Sequence, residues 1–417
     1  MTVLRQLCVA AAAALALSAC TPVSPTVAPS ASPTTPSRAT TIHLVAAEYS
    51  DATKDFWDRF ARTYEEKTDF ALTVELIAWD AIDQRSAAMV QTGSAPDVLN
   101  LNVYAGYADD GLLWNAEEVL TPAAREDLLG AFLRSGTYNG QVYGFPSLSS
   151  TRALFYNKDL FAKAGILTPP ATWAEFEAAA KKVTALRGNA VGYALPLGPE
   201  EAQAEFSIWA FNNGGDWKTD GRWTVDSPEN LATLTFLRKL ALTDKVTQPD
   251  PAGTDRQRAF DLFAAGKAGM VVGYPPFGAV LDEAGSVDYG VAPMPTTLTT
   301  PQTFGVTDYL MAFKREGNQD AVRAFFELFY APDQINTYIK AEGFLPVTKS
   351  GLEVFAVDPA LSVYIDTMPN VHLTPTNDPT WDKVKRAVQR SIGEGVTAEG
   401  TPGLVLEALQ RTADTPG

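Results

Sequence analysis

The side chains best suited to catalysis or metal binding are scarce, with 2 histidines and 2 cysteines in 417 residues. His43 falls in an apolar run and His372 in a late loop. Far apart in sequence and with no cysteine nearby, they make a poor metal or triad set. Each reads better as a hydrogen-bonded structural histidine. No H-E-x-x-H, C-x-x-C, G-x-S-x-G, Walker or G-x-G-x-x-G pattern occurs. Carboxylates number 49, so hydrolysis by a carboxylate pair stays open, but abundance singles out no pair. Asp216, Asp220 and Gly221 faintly resemble a calcium loop without its downstream acidic ligand. The stretch from Trp217 to Trp223 reads better as a hairpin turning on Asp220-Gly221. The absences favour a binder over an enzyme, with no cofactor and no metal.

Composition narrows the class further. Hydrophobic residues at 46% and aromatics at 10% can build real cores, and the length suggests two or three domains of roughly 100–200 residues. The 33 basic residues against 49 acidic ones leave a net charge of −16. Such a chain lacks the basic footprint of a nucleic-acid binder and is repelled by anionic lipid head groups.

The amino-terminal segment calls for processing rather than folding. Arg5 precedes an apolar run from Leu7 to Leu17, shorter than the roughly 20 residues needed to span a bilayer. The run ends in Leu17-Ser18-Ala19-Cys20, which resembles the lipobox of bacterial lipoproteins. That resemblance implies a signal peptide over 1–19 and lipidation of Cys20. An ordinary signal peptide with an incidental cysteine is the alternative. Residues 20–40, rich in Pro, Ser and Thr, then read as an extended tether. With Cys8 removed and Cys20 lipidated, the mature body has no disulfide.

From Thr41 onward, strand-like and helix-like segments alternate, the mark of an α/β protein. Strands are expected at Ile42–Ala47, Phe70–Ile77 and Asp97–Leu101, and helices at Asp55–Lys67 and Ala81–Gln91. Thr172 with Glu175 forms a capping box that opens a helix to Leu186. Ser227-Pro228 starts another, to about Leu242.

Several segments resemble the family 1 extracellular solute-binding proteins, the sugar-binding lipoproteins of ABC importers that include maltose-binding protein. They are Gly93-Ser-Ala-Pro-Asp97-Val, Gly140-Gln-Val-Tyr-Gly-Phe-Pro146, Phe155-Tyr-Asn-Lys-Asp-Leu-Phe-Ala-Lys-Ala-Gly165 and Pro170-Ala-Thr-Trp-Ala-Glu-Phe176. Phe263-Ala-Ala-Gly-Lys-Ala-Gly-Met270, Gly343-Phe-Leu-Pro-Val347, Met368-Pro-Asn370 and Trp381 follow in family order. The resemblance implies a two-lobed periplasmic-binding-protein fold with a hinge and an interlobe ligand cleft. Crossings are expected near Ser150–Ala153, Ala292–Pro295 and Tyr330–Asp333. The N-terminal lobe would then comprise 41–150 with 293–330, and the C-terminal lobe 151–292 with 331–417.

A sugar presents flat C–H faces ringed by hydroxyls, so its site needs aromatic faces, carboxylates, amides and arginine. The resemblance carries the following candidates. Glu48, Tyr49 and Asp51 follow the first strand, where open α/β sheets bind ligands; a plain polar loop is the alternative. Trp79 and Asp80 end the next strand. Asp97 reads as a turn cap, with Asn102 and Tyr104 further into the cleft. Ser150 and Arg152 lie at the first crossing, as hinge residues or contacts. Phe206 and Trp209 fall at helical spacing, where a place in the core is the usual role. Tyr274 and Phe277 flank a Pro-Pro pair. Thr307 and Asp308 interrupt an apolar strand, and Asn377 and Trp381 occupy the place of a stacking tryptophan, with packing of the last helices as the alternative. The segment from Thr374 to Pro379 departs from the maltose-binding pattern and puts maltose specificity in doubt.

These residues point to a lipid-anchored, extracytoplasmic carbohydrate-binding protein, expected to be monomeric, that hands a di- or oligosaccharide to an ABC permease. A binder of a polyol or glycerol phosphodiester, and a secreted carbohydrate-active enzyme, are the alternatives.

Overall fold

The computed structural model describes residues 40–415. The expected signal peptide, Cys20 and all but the end of the tether lie outside the described residues. The strands that build the two main sheets are β1 (Thr41–Glu48), β2 (Ala71–Ala78), β3 (Val98–Leu101), β4 (Phe145–Thr151), β5 (Ala153–Asn157), β6 (Val191–Ala194), β7 (Ala268–Gly273), β8 (Tyr289–Ala292), β9 (Thr303–Ala312) and β10 (Val371–Leu373). The helices that concern the site are α1 (Asp51–Lys67), α2 (Trp79–Gln91), α3 (Ala202–Phe211), α4 (Pro275–Ala284), α5 (Pro332–Glu342) and α6 (Trp381–Ser391).

The first sheet runs β10-β9-β3-β1-β2, with β4 also paired to β9. β1 is parallel to β2 and β3, whereas β9 is antiparallel to β3 and β4. The second sheet runs β8-β5-β7-β6, with β5 antiparallel to both neighbours and β7 parallel to β6. Two lobes result, each a sheet covered by helices. The chain leaves the first sheet at Thr151 and enters the second at Ala153, so Arg152 alone lies between β4 and β5. It returns through the segment between Ala292 and Thr303.

Local sequence accounts for these elements. Ser50 caps α1 and Thr53 closes its capping box, and Phe56, Trp57, Phe60 and Tyr64 then form one buried stripe. The Thr172–Glu175 box starts the helix Trp173–Thr184. Ser227 caps the helix Pro228–Arg238, which widens into a π-helical turn at Lys239–Thr243. The hairpin forms as well, with Asp220 at φ 51° and Gly221 at φ 77° in its turn.

The expected transfer to the second lobe at Tyr330–Asp333 does not occur there. α5 buries Ile335, Tyr338 and Ile339 in the same core as Phe56, Trp57 and Phe329. Tyr338 lies 4.7 Å from Phe56 and 5.4 Å from Trp57, centroid to centroid. Val347 and Phe355 join that core, and β10 adds a parallel strand beside β9. Leu345 and Tyr364 pack into the second-lobe core around Phe155 and Phe277, and from Trp381 onward Trp381, Val384 and Val388 enter the core built on Phe206, Trp209 and Trp217. The apolar stripe of α5 decides the matter, because α1 already presents the rings that cover it. Ile339→Ala is therefore expected to cost about 2–5 kcal/mol, read as a lower urea midpoint. An unchanged midpoint would remove α5 from this core.

Candidate functional site

β1 and β2 run parallel and pass directly into α1 and α2, so Glu48, Tyr49 and Trp79 stand where strand carboxyl ends form a ligand crevice. Across from them the second lobe presents Glu201, Arg256 and Tyr274. Together with Asp308 and the Glu342–Phe344 turn, these residues line a cavity of about 540 Å³. The Tyr49 hydroxyl lies 2.6 Å from Asp308 Oδ2, to which it donates, and 3.0 Å from Asn100 Oδ1. The β9–β4 ladder shifts register between Asp308 and Tyr309, a local irregularity at the residue that meets the cavity. Tyr49 also packs against Trp79 at 5.7 Å and edge-on to Phe344 at 5.3 Å.

A partly buried ionic cluster forms the opposite wall. Arg152, 7% exposed, donates to Ser150 Oγ at 2.9 Å and Glu201 Oε2 at 3.4 Å. Its guanidinium lies 4.6 Å from the Tyr274 ring centroid. Arg256 bonds Glu201 and also reaches Glu200 Oε1 at 2.7 Å. Both guanidinium groups thus flank Tyr274 with their charge already matched by carboxylates.

A second cavity of about 680 Å³ lies between α2 and α6, lined in part by Trp79, Asp83, Gln203 and Lys385. A narrow recess bordered by Asn102, Gln203, Thr307 and Trp381 adjoins it, and Glu201 borders all three spaces. Lys385 crosses between the lobes here, donating to Asp83 Oδ2 at 2.9 Å and Asn102 Oδ1 at 3.1 Å. Among the described residues no helix is long and apolar enough to cross a membrane.

Comparison with known proteins fits this geometry. The family model for bacterial extracellular solute-binding proteins matches residues 46–336. The chain is a bacterial extracellular solute-binding protein. A binding protein of Brucella abortus (strain 2308) is 27% identical over 381 residues, covering 89% of this chain and 92% of the relative. The sn-glycerol-3-phosphate-binding periplasmic protein of Escherichia coli K12 is 27% identical over 233 residues, covering 53% and 52%. An ABC transporter solute-binding protein of Thermotoga lettingae TMO, solved with alpha-D-tagatose, superposes with a TM-score of 0.77 at 21% identity, covering 90% of this chain and 99% of that one.

Of the residues singled out in this solute-binding protein's sequence, Glu48, Tyr49, Trp79, Ser150, Arg152, Tyr274 and Asp308 meet around the first cavity. Asn102, Thr307 and Trp381 border the recess. The rest are placed elsewhere. Phe206 and Trp209 are fully buried in the second-lobe core, and the Trp209 indole nitrogen donates to Glu205 at 2.9 Å. Tyr104 is buried with its hydroxyl on Ser135 O at 2.8 Å. Phe277 stacks on Phe260 at 3.9 Å in another core. Asp51 and Asn377 are exposed and border none of the three spaces, and neither does Asp97, which binds the His43 backbone, Arg315 and Asn318. Trp381 keeps only an edge on the recess, packed against Trp217 and Trp223. Asp80 lines the second cavity. Sequence reasoning missed Glu201, Arg256, Glu342, Phe344 and Lys385. The two histidines are structural: His43 faces Glu75 at 3.6 Å, and His372 lies 2.9 Å from Asp216 while stacking on Phe211.

Burial pushes the Asp308 carboxyl up to about 7, opposed by the Tyr49 hydrogen bond, and burial likewise pushes Glu205 up to about 7. A carboxyl raised on folding binds more protons in the native than in the unfolded chain between its ordinary value near 3.9 and about 7. Its contribution therefore falls as pH rises through that window. Ligand-free protein is expected to melt at a lower temperature near pH 8 than near pH 5, roughly stated, and Asp308→Asn should flatten that slope in part. An unchanged slope in the variant would take Asp308 out of the account. Trp381→Ala is expected to cost about 3–5 kcal/mol of stability. A stable variant with weakened ligand binding would instead make Trp381 a contact residue.

Proposed function

We propose that this protein binds a carbohydrate of di- or oligosaccharide size outside the cytoplasm and delivers it to an ABC permease by hinge closure. The observation that carries the reading is the pairing across one cavity of aromatic faces, Tyr49, Trp79 and Tyr274, with carboxylate acceptors, Asp308 and Glu201. Rings match the C–H faces of a sugar and the carboxylates accept from its hydroxyls. The two larger spaces on either side of Glu201 support a ligand longer than one ring. Tagatose in the Thermotoga lettingae protein supports the same class. Lobes joined at Arg152 supply the hinge, and their closure gives the permease a liganded shape to recognise. The reading includes no catalytic step. Anchoring through lipidated Cys20, a tether over 20–40 and a monomeric body complete it.

A polyol or a glycerol phosphodiester is the second reading, favoured by the match to the Escherichia coli glycerol-3-phosphate-binding protein. Arg152 and Arg256 would face such a phosphate, but both already hold Glu200 or Glu201, which weighs against it.

A thermal-shift screen of saccharides, with glycerol phosphodiesters as a second arm, tests the proposal, because a ligand of the folded state raises its apparent stability. Saccharides are expected to raise the melting temperature. Trp79→Ala should then weaken the best one by about 1–3 kcal/mol, roughly 5- to 150-fold, in isothermal titration. A shift with phosphodiesters alone would overturn the carbohydrate reading. Recovery of a cleaved sugar would overturn the absence of catalysis.

A further inference from the structure

The cleft cavity is unevenly charged. It is lined by five acidic side chains and three basic ones, Arg152, Arg256 and Lys340. The two arginines are committed to Glu200 and Glu201, as described, and Lys340 is exposed and pairs with none of the remaining carboxylates among the described residues. Two of those are buried: Asp308 is 3% exposed and Glu342 4% exposed. Each has one partnered oxygen, Asp308 Oδ2 with the Tyr49 hydroxyl and Glu342 Oε2 with Ser50 Oγ at 2.7 Å. The other oxygen of each, Asp308 Oδ1 and Glu342 Oε1, has no hydrogen-bond partner. Tyr338 stands behind them in the first-lobe core. Its hydroxyl also lacks a partner, and burial, then the charges of Glu342 and Asp308, push it up.

Buried acceptors without donors are costly, and buried carboxylates most of all. A ligand hydroxyl brings one donor and no charge. An ammonium brings three donors and a positive charge of its own. The same cavity also holds three rings, with Trp79 and Phe344 each packed against Tyr49, the kind of surface that attracts a cation through its π faces. Unpaired carboxylates and clustered rings are independent features, and both select for positive charge.

Resting on the carbohydrate reading above, we propose that the ligand is an amino sugar whose protonated amine is held by Asp308 and Glu342 beside the rings of Tyr49, Trp79 and Phe344. The carboxylates select the amine, and the hydroxyls of the sugar take the remaining polar groups of the cleft. A phosphorylated ligand meets the same carboxylates as repulsion.

Isothermal titration of the full-length protein with matched ligands tests this. The probes are glucosamine and its short oligomers, the N-acetylated counterparts, and glucose with its oligomers, all at a pH where the amine is protonated and Asp308 is ionised. The amine form is expected to bind at least about tenfold more tightly than either counterpart. Asp308→Asn and Glu342→Gln, checked for folding by thermal denaturation, should each reduce that preference. Equal or tighter binding of the neutral or acetylated sugars by the unaltered protein would overturn the amine assignment and leave the carbohydrate reading standing. Binding of none of these sugars, with a phosphodiester binding instead, would overturn both.

Discussion

The first crossing between the two lobes is a single residue whose charge has to be buried. Arg152 is the whole connection between β4 and β5, and a guanidinium in that position is tolerable only when surrounded by acceptors. Ser150 on its own strand supplies one, and Glu201 at the start of α3 supplies another. Glu201 in turn draws in Arg256, and both arginines lie against Tyr274. The joint of the molecule and one wall of its cleft are therefore one cluster. Ligand contact on that wall therefore falls on the residue that links the two sheets.

The opposite wall follows from strand topology. Parallel β1 and β2 deliver Tyr49 and Trp79 to the same edge of the sheet, while antiparallel β9 brings Asp308 in beside them. The irregularity at Asp308 and the Tyr49 hydrogen bond hold the carboxylate there. Acceptors on the first lobe thus face charge-neutralised arginines at the crossing and on the second lobe, an arrangement suited to hydrogen-bond donors. Lys385 fastens α6 to α2 and to the end of β3 at the far side, so the lobes touch at both ends of the cleft.

Residues at strand ends were legible in the sequence because the alternation of strands and helices says where such ends lie. Glu48, Tyr49 and Trp79 follow from that rule, and the polar break at Thr307-Asp308 marked itself inside an apolar strand. The aromatic residues of helices were not legible in the same way. Phe206 and Trp209 obey a helical period that reads alike for a core face and a cleft face, Phe277 follows a Pro-Pro pair but stacks on Phe260 in a core, and Tyr104 is covered by Tyr309 from a distant strand. Glu201, Arg256, Glu342 and Lys385 come from four separated segments, and only the fold brings them to the cleft. Gly343-Phe344 lay within a recognised motif, and that was the one available signal for Phe344 and its neighbour Glu342. The lobe boundary at α5 failed for a related reason: its apolar stripe says that it packs, but not on which lobe.

The most direct test of the account is a crystal structure of the protein with the saccharide that stabilises it best. A sugar is expected between the lobes, with one face against Tyr49 or Trp79 and hydrogen bonds to Asp308 or Glu201. A sugar bound on the outer surface of one lobe, with the cleft empty, would contradict it.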